Sequence, residues 1–274
     1  MGKTEGKPLR VIVAGASGWV GRELIQAIHA APDLVLTGAV ARGICGQDAG
    51  TVAGLPEPLG VTIRATVTEA LDAGADVLVD YTKPQAVRAH VSAALNAGVS
   101  AVIGTSGLTA QDYFEIDAMA RARSLGVAAA GNFSVTAMLL KRFSLMAAQY
   151  VGDVEIIDYA GPQKPDVPSG TARELAEALD NARQLPATAK PVADILGPQE
   201  ARGAVIGSVP VHSVRLPSYV LSCETQFGLA GERLTIRHDA GTSAAPYVAG
   251  TLLAIRKVRS FFGLRRGLDG ILDA

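Results

Sequence analysis

Aromatic residues make up only 5% of the 274-residue chain, cysteine occurs twice and histidine four times. The two cysteines, Cys45 and Cys223, have no metal or redox spacing and are too few for a disulfide framework, which fits a reducing cytoplasm. Charge of either sign is not in excess: 25 Lys and Arg against 26 Asp and Glu leave a net −1, so no global field favours nucleic acid or an anionic membrane. Long apolar runs are also lacking. The uncharged stretch of residues 124–140 is broken by Gly131-Asn132, which argues against a membrane span. The opening MGKTEGKPLR has no apolar segment of the signal-peptide kind.

What is present is a 49% hydrophobic, Ala/Val/Leu/Gly-rich chain of a size that suits α/β packing. Residues 10–14 (RVIVA) read as a strand buried on both faces, followed at once by Gly15-Ala16-Ser17-Gly18-Trp19-Val20-Gly21 and a helix over 22–30. A second strand follows at 34–40. Strand, Gly-rich turn, helix and strand make a dinucleotide-binding fingerprint, spaced G-x-x-G-x-x-G rather than G-x-G-x-x-G. NAD sites carry an acid at the end of the second strand to hold the ribose hydroxyls; here the strand runs into Ala41-Arg42, a cation suited to a 2′-phosphate. NADPH is therefore favoured, with NADH allowed.

Alternation continues. Strands are predicted at 77–81, 101–103 and 126–130, with helices ending near Asn96 and spanning 110–123. The strand ends are Thr82-Lys83-Pro84, Gly104-Thr105-Ser106-Gly107 and Gly131-Asn132-Phe133-Ser134, small or polar residues on the edge where an open parallel sheet binds ligands.

Beyond residue 133 the pattern changes to a helix over 134–150, a strand over 154–157, a helix from Thr171 to about Arg183, a Pro/Gly-rich loop over 185–209, strands at 211–216, 219–227 and 233–238, and a last helix over 245–262. The three late strands are expected to form an antiparallel sheet, so this is an α+β region. Its centre is VEIIDYAGPQKPDVPSGTA, Val154 to Ala172. Gly161, Pro162, Pro165 and Pro168 stop regular structure, and Thr171 with Glu174 gives a T-x-x-E capping box. Lys164 and Asp166 thus precede a helix N-terminus whose free N–H groups suit a carboxylate or phosphate. An ordinary capped loop explains the same residues equally well.

Taken together, VAGASGWVG, VDYTKP, VIGTSG, GNFSV, VPSGTA, VHSVRLP and ERLTIRHD resemble dihydrodipicolinate reductase, the NAD(P)H-dependent enzyme of lysine and diaminopimelate synthesis, over nearly the whole chain. The resemblance implies a Rossmann domain of residues 1–133 completed by 240–274, and a central α+β domain of residues 134–239 whose mixed or antiparallel sheet holds a homotetramer together. It places the pyrophosphate on Gly15, Ala16, Ser17, Gly18, Trp19 and Val20, and the adenosine ribose at Arg42. The nicotinamide falls near Gly104, Thr105, Ser106, Ala130, Gly131, Asn132 and Phe133. Lys164, Ser169, Gly170 and Thr171 receive a small cyclic dicarboxylate, 4-hydroxy-tetrahydrodipicolinate.

One departure stands out. The family has a His-His pair four and three residues before the lysine, one histidine serving as proton donor; this chain has Ala160 and Gly161 there. Loss of a positioned general acid costs on the order of 10²- to 10⁴-fold. Lys164 is the residue expected to act in its place; Tyr159, His212 and His238 are weaker candidates, and His29 and His90 are expected at the surface. Two other readings stay open: reduction of a different cyclic imine or enamine, and a cofactor-binding protein without catalysis.

Overall fold

A computed structural model describes residues 7–272. The chain divides into two compact units, Met1–Val135 with Ala244–Ala274, and Thr136–Ser243.

The first unit begins with β1 (Leu9–Ala14), α1 (Trp19–Ala30), β2 (Leu34–Val40), α2 (Ala49–Ala53), β3 (Ile63–Arg64), α3 (Val67–Leu71) and β4 (Val77–Asp80). It continues through α4 (Pro84–Asn96), β5 (Ser100–Ile103), α5 (Ala110–Ala122) and β6 (Gly126–Ala129). The second unit holds α6 (Val135–Ala147, from its second residue), β7 (Asp153–Ala160), α7 (Gly170–Ala182), β8 (Ala204–Ile206), β9 (Val209–Arg215), β10 (Leu221–Leu229) and β11 (Glu232–Ala240). The chain then returns to the first unit with α8 (Ala245–Lys257), β12 (Gly263–Arg266) and α9 (Leu268–Leu272).

The first unit's sheet is parallel throughout, in the order β12-β6-β5-β4-β1-β2-β3. Strands β4, β5 and β6 are buried at every position, as central strands covered on both faces must be. Six of the seven follow the doubly wound order in which β1 and β4 adjoin at the reversal, leaving a crevice at their carboxyl ends. Apolar positions of α3, α4 and α5 pack onto the sheet, α1 meets α8 through the Trp19–Tyr247 edge contact (centroids 5.9 Å apart), and Arg256 of α8 pairs with Asp33 just ahead of β2.

The sequence missed α2, β3 and α3, each five residues or shorter. The helix expected over 245–262 ends at Lys257, because a 3₁₀ turn leads into β12, which adds to β6 in parallel, and α9 follows it. Gly263 starts that strand at φ +82°, a conformation that leaves the helical path.

The second unit's sheet runs β11-β10-β7-β9-β8. It is mixed rather than wholly antiparallel: β9 lies parallel to β7, the other pairs antiparallel. The strand expected at 154–157 continues to Ala160, and β8 falls inside the stretch expected to be loop. Strict alternation along β7 buries Val154, Ile156, Asp158 and Ala160 and turns Asp153, Glu155, Ile157 and Tyr159 to the other face. Leu140 of α6 and Ala172, Leu175, Ala176 and Leu179 of α7 cover the buried face; the α7 residues fall at helical spacing.

Candidate active site

In the first unit the Gly-rich turn lies at the switch point. Gly15 has φ +90°, and a Cβ there would stand 2.4 Å from the Tyr81 carbonyl oxygen, so only glycine fits. Gly18 caps α1 without any side-chain hydrogen bond, which leaves the first-turn N–H groups near Trp19 and Val20 to an external acceptor. Ala16 is buried beneath the turn, whereas Ser17, Gly18 and Trp19 are exposed. A groove of about 490 Å³ runs past Gly15, Ser17 and Gly18 to Arg42, which opens a 3₁₀ turn after β2. Lys83, the capping residue of α4, lines the same groove and is a second cation that the sequence reading did not single out. Uncapped amides, glycine clearance and two cations along the groove fit a dinucleotide.

Of the residues expected near the nicotinamide, Gly104 and Phe133 pack against Tyr81. A Cβ on Gly104 would lie 2.2 Å from the Tyr81 ring, and the Phe133 ring centre is 6.2 Å away. The Tyr81 hydroxyl is 2.7 Å from Thr251 Oγ1, and burial pushes its pKa up. Thr105 is buried and donates to Asp80 Oδ1 at 2.9 Å, while Ser106 is exposed. Ala130 N–H closes onto Ile103 at 3.1 Å, Gly131 has open space at its α-carbon, and Asn132 Oδ1 accepts from Ser134 N–H at 2.8 Å. Asp80, missed in the sequence, is fully buried; it also accepts from Thr82 N–H (2.9 Å) and Thr82 Oγ1–H (2.7 Å), and His90 Nδ1 lies 2.7 Å from its Oδ2. His90 is therefore an internal partner of this carboxylate and not the surface residue expected.

In the second unit the stretch after β7 closes a turn, Lys164 N–H to Gly161 O at 3.2 Å, and runs through a cis Val167–Pro168 peptide into α7. The helix is capped two residues earlier than its T-x-x-E pattern suggests. Ser169 is the capping residue, its Oγ accepting from Ala172 N–H at 3.3 Å, while Glu174 pairs with Lys141 at 3.0 Å. The buried Asp158 outcompetes solvent for Ser169 and fixes it there, accepting from its N–H at 2.9 Å and its hydroxyl at 2.7 Å. Gly170 is exposed with open space at its α-carbon, and Thr171 is half-buried beside it. Lys164 Nζ stands 2.7 Å from Asp166 Oδ1, and Gly170 N–H donates to Asp166 Oδ2 at 3.3 Å. The Lys164 contact, with help from Gly170 N–H, holds the Asp166 carboxyl below the usual carboxylate range.

Ala160 ends β7 fully buried on the helix-covered face, and a Cβ on Gly161 would lie 3.3 Å from the Tyr219 carbonyl oxygen. Tyr159 adjoins them in sequence but faces the other side of the sheet. Its ring lies 4.9 Å from that of Tyr219 and 4.7 Å from the Arg237 guanidinium, and burial, then Glu224, push its pKa up. His212 shares that face, with Nε2 2.8 Å from Glu155 Oε2, so neither group is brought to Lys164. His238 lies on the buried side with Nδ1 2.9 Å from Thr136 Oγ1; among the described residues its buried Nε2 has no partner, and burial lowers its pKa.

The chain matches known proteins over its whole length. The family profile described as dihydrodipicolinate reductase, N-terminus, covers residues 9–133, and that described as dihydrodipicolinate reductase, C-terminus, covers residues 136–268. The chain is 40% identical to the 4-hydroxy-tetrahydrodipicolinate reductase of Moorella thermoacetica, over 97% of this chain and 98% of that protein. Identity is also 40% to the protein of the same name from Thermosynechococcus vestitus, over 97% of each. Among solved structures, dipicolinate-bound dihydrodipicolinate reductase from Paenisporosarcina sp. TG-14 superposes with a TM-score of 0.86 at 30% identity, over 97% of this chain and 100% of that one. An amine dehydrogenase from Mycobacterium smegmatis, at 16% identity and a TM-score of 0.67, shares the fold.

Proposed function

The chain belongs to the dihydrodipicolinate reductase family, and from that premise we propose that it reduces 4-hydroxy-tetrahydrodipicolinate to tetrahydrodipicolinate with a nicotinamide cofactor. The observation that carries the reading is the cluster of carboxylate donors in one loop: the Lys164 ammonium and the start of α7 at Gly170 and Thr171, with Ser169 as its cap. A cyclic dicarboxylate offers one carboxylate to the cation and another to the helix N-terminus.

Gly15 to Val20 hold the pyrophosphate, Arg42 the adenosine ribose, and Gly104 to Ser106 with Ala130 to Phe133 the nicotinamide side. When bound, the nicotinamide would supply a hydride to the carbon β to the imine, once the substrate has lost its 4-hydroxyl as water to leave that carbon in a conjugated C=C–C=N system, and a proton added to the neighbouring carbon restores the imine. NADPH is the preferred form in this reading, because a guanidinium lines the groove where an NAD site would offer a carboxylate. Ala160 and Gly161 have no group able to pass on a proton, so the proton that completes the reduction comes from Lys164 or a water it orders. The chain acts as a homotetramer in this reading; among the described residues no helix of the second unit covers the outer face of its sheet, which bears Ile157 and Val214.

The test is NADPH oxidation with freshly made dihydrodipicolinate-synthase product. Turnover within about tenfold of a typical kcat of roughly 10 s⁻¹ supports the proposal. NADPH binding without turnover overturns it, and a panel of cyclic imines then separates a changed substrate from loss of catalysis.

A further inference from the structure

Asp158 is the third inward-facing residue of β7, fully buried among apolar neighbours. Beyond its two bonds to Ser169, its Oδ2 accepts from Arg215 Nη2 at 2.7 Å and from the Ser213 hydroxyl at 3.4 Å. The same Arg215 Nη2 donates to the Asp166 carbonyl at 2.9 Å, while Nη1 donates to the carbonyls of Asp158 (3.2 Å) and Val214 (3.0 Å). One guanidinium thus ties together the end of β9, the end of β7 and the loop between Lys164 and α7. The carboxylate it grips holds the capping residue of α7 by both main chain and side chain.

A buried ion pair adds little net stability over apolar residues of similar size, so folding alone gives weak reason for this one. What the arrangement does well is fix distances. Lys164 lies two residues before the clamped Asp166 carbonyl, and Gly170 follows the clamped Ser169 directly. We infer that Asp158 and Arg215 are positioning residues that set the separation between the Lys164 ammonium and the first-turn N–H groups of α7, and so select a ligand carrying two carboxylates at a matching distance. This rests on the dicarboxylate reading proposed above. The forked guanidinium is essential to the role, because an ammonium has the charge but cannot span the same acceptors.

The test titrates dipicolinate and its monocarboxylate relative picolinate into the NADPH-loaded full chain by calorimetry, for wild type, Arg215→Lys, Ser169→Ala and Asp158→Asn. Arg215→Lys and Ser169→Ala are expected to weaken dipicolinate at least about tenfold, picolinate by less than about threefold, and NADPH not at all. A structural role alone lowers the melting temperature but leaves the dipicolinate-to-picolinate ratio intact. Arg215→Lys and Ser169→Ala carry the test if Asp158→Asn does not fold. An unchanged ratio in the folded variants of a wild type that turns over the substrate overturns the inference alone. A wild type that binds neither acid overturns both the inference and the dicarboxylate reading.

Discussion

Asp166 Oδ1 lies 2.7 Å from the Lys164 ammonium, while its other oxygen accepts the Gly170 N–H at 3.3 Å. These are the two kinds of donor assigned to the substrate, so the Asp166 carboxylate and a substrate carboxylate compete for them. Asp166→Asn is expected to tighten dipicolinate binding about three- to tenfold, the effect of relieving a partly exposed like charge worth about 1 kcal/mol. Calorimetry checks it; weaker binding shows instead that Asp166 orients Lys164.

Lys164→Ala removes the one cation of this loop. A charge-assisted hydrogen bond is worth about 1.5–3 kcal/mol, so kcat/KM is expected to fall by about 10- to 10²-fold with NADPH affinity unchanged. Lys164→Arg keeps the charge and should recover part of KM. Steady-state kinetics on the three proteins decide it, and full activity in Lys164→Ala removes the residue from the mechanism.

Arg42 should matter to one phosphate only. Arg42→Ala is expected to raise the NADPH dissociation constant about tenfold, or about 1.4 kcal/mol, and to leave NADH within about threefold. Equal losses for both cofactors, read by fluorescence titration, would place Arg42 elsewhere than at a 2′-phosphate.

Gly104→Ala puts a methyl 2.2 Å from a Tyr81 ring that is buried and tied to Thr251 at 2.7 Å. Overpacking of this kind costs about 1–3 kcal/mol. The melting temperature should drop, and the nicotinamide side should bind less tightly as Tyr81 moves; a melting curve and an NADPH titration report the two effects.

The Arg237 guanidinium, followed by Ser222, lowers the Asp239 carboxyl to a pKa of about 2, against an ordinary value of about 3.9. The folded value is the lower one, so the stability this contact contributes is full above the ordinary pKa and is lost as pH falls through about 2. Asp239 is more than half exposed, so the contribution is small. Urea midpoints between about pH 5 and 2 should depend less steeply on pH in Asp239→Asn than in wild type.

The Rossmann half was legible because its signals are local. Buried strands such as VIVA and VLVD end in glycine or small residues, and a strand of continuous apolar residues followed by Gly15 admits few other readings. The short elements between Arg42 and Asp76 were not legible, since α2 and α3 each have only five residues and are held by tertiary packing. Lys164 and Ser169 to Thr171 stood out by composition. Asp158 and Arg215 did not, because an acid in a strand and an arginine some 57 positions later declare no contact until β7 and β9 pair in parallel. An acid at an inward position of an alternating strand was the available hint. Tyr159 misled in the opposite way: it is next to Ala160 in sequence, yet strand alternation sends it to the other face.

The central claim is tested most directly by isotope transfer. The protein is incubated with synthase product and NADPH carrying two deuterium atoms at the nicotinamide reducing carbon, and the tetrahydrodipicolinate formed is examined by mass spectrometry. The account predicts one deuterium per product molecule, a yield equal to the NADPH oxidised, and about 10- to 10²-fold less labelled product in a fixed time when Lys164 is replaced by alanine at subsaturating substrate. Cofactor that binds but delivers no deuterium to this dicarboxylate would contradict it.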